Sequence, residues 1–133
     1  MHDISFRSNR NDVQNFLDRV HTTLQNDINF IFIKNRKLEK TNPKYTNETC
    51  ILALKYDNND VINEIRSLSL EHYYETHFDD KQRGTTPLFI FIKEIQKKQV
   101  YIKIRLKERE DGEKVVCISF HFAEHEVYKL PYT

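Results

Sequence analysis

The sequence predicts an α+β fold in which N-terminal helices pack on a small antiparallel C-terminal sheet. Three observations carry that expectation. Apolar residues recur at helical spacing through the first half, they alternate with polar residues after Pro87, and 133 residues is the length of one domain, residues 1–133, with one core. Hydrophobic residues make up 38% of the chain and aromatics 12%, enough to fill that core and too much for a disordered chain.

Over residues 11–26, Val13, Phe16, Leu17, Val20 and Leu24 form one stripe at the 3.6-residue period, and Asn11 or Asp12 can cap its start. Phe30 to Ile33 is an apolar run suited to a strand, and the polar, basic residues 34–44 read as a loop ending near Pro43. Thr46 or Asn47 can cap a second helix through Leu54. A third follows Asn58 and Asn59, its stripe being Val61, Ile62, Ile65 and Leu68, with Asp60 and Glu64 facing water. Residues 70–78 are aromatic and fit no single period, and the polar residues 76–87 read as a mobile loop. Three strands then form a meander over residues 88–95, 100–107 and 114–122, joined at 96–99 and around Asp111-Gly112.

Alternation assigns the strand faces. Val100, Ile102, Ile104 and Leu106 face the core, with Tyr101, Lys103, Arg105 and Lys107 behind them. In the last strand Val116, Ile118, Phe120 and Phe122 match the apolar face, leaving Val115, Cys117, Ser119 and His121 beside the basic one. A hairpin symmetric about Asp111 pairs Tyr101 with His121 and Lys103 with Ser119. An equally tight turn at 96–99 sets Lys93 opposite Tyr101.

Composition excludes several functions. Only Gly84 and Gly112 are present, so a Gly-rich phosphate-cradling loop is ruled out. Apolar runs such as Leu88 to Ile92 fall far short of the ~20 residues that span a bilayer, so no membrane association is expected. The start of the chain lacks an apolar signal segment, and Cys50 and Cys117 are well separated, which points to unpaired thiols in a reducing cytoplasm. The net charge of +1 hides an asymmetry. Residues 57–80 carry seven acids against Arg66, or −6, and residues 81–107 carry eight Lys and Arg against Glu94, or +7. A basic sheet face attracts polyanions, and it also keeps an exposed strand soluble. The acidic stretch can fold over that face or meet a protein partner.

Cleaving RNA through its own 2′-hydroxyl takes a base, a cation to stabilise the phosphorane and an acid for the leaving 5′-oxygen. Lys93, Tyr101, Lys103 and His121 supply those chemical types from one expected face, without a metal or other cofactor. Lys97, Lys98 and Arg105 can follow flanking phosphates, and Tyr73, Tyr74 or Phe89 can stack on splayed bases. The same basic sheet would also serve a non-catalytic module that binds RNA or an acidic partner. His121-Phe122-Ala123-Glu124-His125 matches H-x-x-E-H, but that zinc signature works on a helix and here begins in a strand, with Pro131 close behind. His72 and His77 form a loose surface pair.

The runs Phe89-Ile90-Phe91-Ile92-Lys93, Val100-Tyr101-Ile102-Lys103-Ile104 and Cys117-Ile118-Ser119-Phe120-His121-Phe122-Ala123-Glu124-His125 resemble the MqsR (motility quorum-sensing regulator) family of bacterial toxins, and Leu68 to Glu75 looks like its L-x-x-x-D-Y segment. The likeness covers roughly residues 46–132. It implies a RelE-like fold and a metal- and ribosome-independent mRNA endoribonuclease. It also implies inhibition by a cognate antitoxin, expected to carry a helix-turn-helix domain. By position Tyr101 matches the family's active-site Tyr, and Lys103 and Lys93 match its strand lysines. His121 stands where some members have a C-terminal Lys, and Glu75 where they have a catalytic Lys. Leu88-Phe89 replaces a Trp-Gln pair and Ile92 a Gly, so the general base is left unassigned by the resemblance.

Overall fold

The computed structural model describes residues 3–34, 42–79 and 86–133. Three helices lie on one side of a six-stranded sheet. Helix α1 (Arg10–Thr23) starts where the Asn9 side chain accepts the Asp12 N–H at 2.8 Å, two or three residues before the expected cap, and buries Val13, Phe16, Leu17 and Val20. Thr46 caps α2 (Asn47–Leu54), and a reciprocal Asp57–Asp60 capping box opens α3 (Asn58–Arg66). Arg66 donates through Nε and Nη2 to the Leu24 carbonyl, tying the end of α3 to the end of α1. Among the described residues no helix is long and apolar enough to cross a membrane.

The strands are β1 (Asp3–Phe6), β2 (Phe30–Phe32), β3 (Tyr73–Asp79), β4 (Leu88–Ile95), β5 (Lys98–Arg109) and β6 (Gly112–Phe122), in the order β1-β3-β4-β5-β6-β2. The expected meander β4-β5-β6 is its centre. The sheet is wider than expected and mixed, because β2 pairs in parallel with β6 while every other pair is antiparallel. Thr76 to Asp79, expected in a loop, belong to β3; residues 80–85 of that expected 76–87 segment lie outside the described residues, as do residues 35–41 of the expected 34–44 loop.

One apolar cluster joins the helices to the sheet face formed by Phe89, Phe91 and Ile95 of β4, Val100, Ile102, Ile104 and Leu106 of β5, and Val115, Cys117 and Phe120 of β6. Phe16 stacks on Phe89 with ring centroids 3.9 Å apart, so α1 docks on β4. Each fully buried side chain of this size stabilises the fold by about 1.5–3 kcal/mol. Cys50 and Cys117 are buried free thiols.

Two turns set which side chains face the helices. The β4–β5 connection is the two residues Gln96-Lys97, both at positive φ (51° and 67°), so Lys93 pairs with Val100 and Ile92 with Tyr101. That is one residue tighter than expected, and a one-residue slip moves a side chain to the other face. Lys93 therefore lies on the helix side. There its Nζ donates to Glu64 Oε1 at 2.6 Å and to Ser67 Oγ, and Tyr56 donates to the other Glu64 oxygen. Glu64, expected to face water, is the acceptor of this cluster.

In the β5–β6 hairpin Arg109 pairs with Gly112, whose φ of 116° suits a residue without Cβ. This turn is also one residue tighter than symmetry about Asp111 would give. A bulge at Ile118 then restores the register, so Lys103 pairs with Ser119 and Tyr101 with His121 as expected. Between the bulge and the turn the faces are reversed from expectation: Val115 and Cys117 join the core, and Val116 lies beside Arg105 on the far side.

Candidate active site

The sheet face turned away from the helices carries the concave site. It is a cavity of about 660 Å³ floored by Ile92, Tyr101, Lys103, Ser119 and His121, with Tyr74 at one rim. The opposite wall is the chain after β6, including Ala123, Glu126, Val127 and Lys129. Gln99 holds that segment in place. Its carbonyl accepts the Ala123 N–H at 3.0 Å, and its side-chain amide exchanges two 2.8 Å hydrogen bonds with the Val127 backbone. Farther on, the Tyr132 ring stacks on Tyr73 at 5.7 Å and its phenol donates to the Ser8 carbonyl.

Within the cavity the Tyr101 and His121 rings lie nearly parallel, 12° apart in plane with centroids at 5.0 Å, and Lys103 Nζ lies 5.8 Å from the Tyr101 centroid. All three residues are half-buried. His121 Nδ1 is 2.9 Å from the Phe122 carbonyl oxygen. A carbonyl only accepts, so Nδ1 carries the hydrogen of that bond and the basic lone pair of the neutral ring is on Nε2. Three groups able to take a proton, give one or stabilise an anion are thus gathered in one hollow.

The remaining sequence candidates separate by face. Arg105 continues the Lys103 side of β5, and its Nε is buried with no hydrogen-bond partner among the described residues. Tyr74, on the face opposite Tyr73, reaches the cavity, and a bulge between Tyr73 and Glu75 puts Glu75 on that outer face too. Tyr73 goes the other way. It is fully buried, its hydroxyl accepting the Ser8 N–H at 2.8 Å and bonded to Thr76 Oγ1 at 2.7 Å, so it offers no platform to a base. Phe89 is likewise a core side chain, 9% exposed under α1. Lys93 is not brought to Tyr101, for the register reason given above. Lys97 and Lys98 are exposed at the sheet end beside a second hollow.

Glu75 and His77 share the outer face and pair at 3.2 Å, with Glu75 in the row of Ile90, Lys103 and Ser119. Sequence reasoning had given them no contact with each other, because residues 70–78 showed no period. It also missed the post-β6 wall, which has neither period nor motif. His121 ends a strand while Glu124 and His125 lie in an exposed bend beyond it, so H-x-x-E-H does not form a helical pair. Among the described residues no three His, Cys, Asp or Glu side chains group as metal ligands.

A family model described as "Motility quorum-sensing regulator, toxin of MqsA" matches residues 20–122, which include every element from the end of α1 through β6. No curated protein and no solved structure matches the chain.

Proposed function

The chain belongs to the motility quorum-sensing regulator toxin family, and from that premise we propose that it is an mRNA endoribonuclease toxin, held inactive by a cognate antitoxin, whose reaction centre is the Tyr101–His121–Lys103 cavity. The observation that carries this reading is the stacked Tyr101–His121 pair with a lysine beside it in one cavity on the sheet face away from the helices. In the proposed reaction His121 Nε2 takes the proton of the ribose 2′-hydroxyl, and the 2′-oxygen attacks the adjacent phosphorus. Lys103 offsets the charge that grows on the non-bridging oxygens. The Tyr101 phenol gives its proton to the departing 5′-oxygen, leaving a 2′,3′-cyclic phosphate and a 5′-hydroxyl. Tyr74 serves as a base platform at the rim and Arg105 as a phosphate contact along β5. Lys93 has no part in these steps. No proton transfer in this scheme calls for a metal, the cytoplasm is the compartment in which mRNA would be met, and the meander under the helices is read as the RelE-like core.

The antitoxin, read as a protein with a helix-turn-helix domain, is the partner that the family description names only as MqsA. Purified protein should fragment single-stranded RNA in EDTA, and His121→Ala should lower the cleavage rate by about 10²–10⁴ with Tyr101→Phe also slowed, the range that a positioned proton-transfer group supplies. RNA that is bound but left intact by the parent protein would instead favour the non-catalytic binding module.

A further inference from the structure

The cavity over Tyr101 and His121 continues past its wall. Ala123 and Glu126 line it on one side and, on the other, line a second hollow of about 370 Å³ at the sheet end, bounded by Phe122, Tyr45 and the β4–β5 turn. That size lies within the ~300–1,000 Å³ of small-ligand clefts. Its lining brings three ammonium groups, Lys44, Lys97 and Lys98, against the single carboxylate of Glu126, together with two half-buried aromatic rings. The cations sit on the rings: Lys98 Nζ is 4.9 Å from the Phe122 centroid and Lys44 Nζ 5.6 Å from that of Tyr45. Lys97 holds its place in the turn at a φ of 67°, where Asn or Gly would be less strained.

A ring face with an ammonium group beside it offers what a nucleotide needs, a surface for the base and a counter-charge for the phosphate. We propose that this hollow is a subsite for one nucleotide of single-stranded RNA, next to the nucleotides that flank the scissile bond; the proposal rests on the ribonuclease reading of the neighbouring cavity. The base lies between Tyr45 and Phe122, and the phosphate meets Lys97 and Lys98. Glu126, on the divide between the two hollows, accepts from base N–H groups and turns phosphate away from that point.

The test compares the shortest RNA that is cleaved with the same RNA lengthened by one nucleotide, on the 5′ side and then on the 3′ side. For one of the two extensions kcat/KM of the parent should rise about tenfold, the scale of one stacked base. Tyr45→Ala should bring the ratio of long to short RNA back to about one, and Lys98→Ala, which removes one of the two phosphate cations, should lower it in the same direction. A ratio that stays at the parent value in both variants, or a parent that gains from neither extension, overturns the subsite. If the parent cleaves none of these RNAs, the ribonuclease reading fails separately, and binding of 2′-O-methyl versions decides the subsite. Weakening confined to the longer oligonucleotide in the variants supports it, and equal binding removes it.

Discussion

Lys93 and Lys103 stand on neighbouring strands and serve opposite sides of the sheet. Lys103 lies in the cavity with Tyr101, whereas Lys93 has a side chain only 15% exposed and is bound to Glu64 and Ser67. Lys93→Ala leaves Glu64 without its cation in a mostly buried place, so the expected loss is about 3 kcal/mol of unfolding free energy. Urea denaturation reads that loss, and cleavage per folded molecule should stay near the parent value. Asn47 is a second residue whose role appears only in three dimensions. Past the end of β2, which pairs with β6 only as far as Cys117, the Asn47 side chain takes two backbone groups of β6 beside the bulge, donating to the Ile118 carbonyl at 2.9 Å and accepting the Phe120 N–H at 2.8 Å. Asn47→Ala leaves these buried groups unpaired at about 1–3 kcal/mol each, and a drop in denaturation midpoint together with slower cleavage would show that the bulge holds His121 in register. Tyr101 and Lys103 were legible in the sequence because β5 alternates strictly. Lys93 was misplaced because Gln96-Lys97 carries no Gly or Asn to announce a two-residue turn.

At the level of elements, the three helices were legible from their periodicity and caps, while β1 and β3 were not. β1 is only four residues long, with Ile4 and Phe6 exposed, and the bulge in β3 breaks its alternation. The Tyr101–His121 pairing was read correctly although both the turn and the bulge were missed, since a hairpin one residue tighter and one inserted residue cancel. The turn before β3 has its own pH dependence. His72 Nδ1 accepts the Ser69 N–H at 3.1 Å, and burial, followed by the nearby Lys93 charge, holds its pKa below the usual 6.5. With a depressed folded-state pKa, this contribution is complete above pH 6.5 and is lost as pH falls from there toward the folded value. Stability of the parent should decline on the acid side of pH 6.5, and His72→Gln should flatten that part of the profile when unfolding is followed by circular dichroism. An unchanged slope would remove His72 as its source.

Over the whole molecule, the opposed charges of the sequence become neighbours. The acidic stretch supplies α3 and β3, with Glu64 pairing to Lys93 on the helix side and Glu75 to His77 on the outer face, while β5 presents Lys103 and Arg105 beside the cavity. The helices cover one side of the sheet, and the chain after β6, pinned at Gln99 and again at Ser8, walls the cavity on the other. Motif and charge made the basic face legible; the cavity depends on the final segment, whose irregular course no periodicity could reveal. The proposed chemistry can be read from the isolated chain. The central claim is that Tyr101, Lys103 and His121 cut RNA through its own 2′-hydroxyl, and the most direct measurement is the chemical identity of the new RNA ends made by purified protein in EDTA. The account predicts 2′,3′-cyclic phosphate and 5′-hydroxyl termini, absent with His121→Ala and absent from RNA carrying a single 2′-deoxy residue at the cut. Termini bearing a 5′-phosphate, or undiminished cutting of the 2′-deoxy substrate, would contradict it.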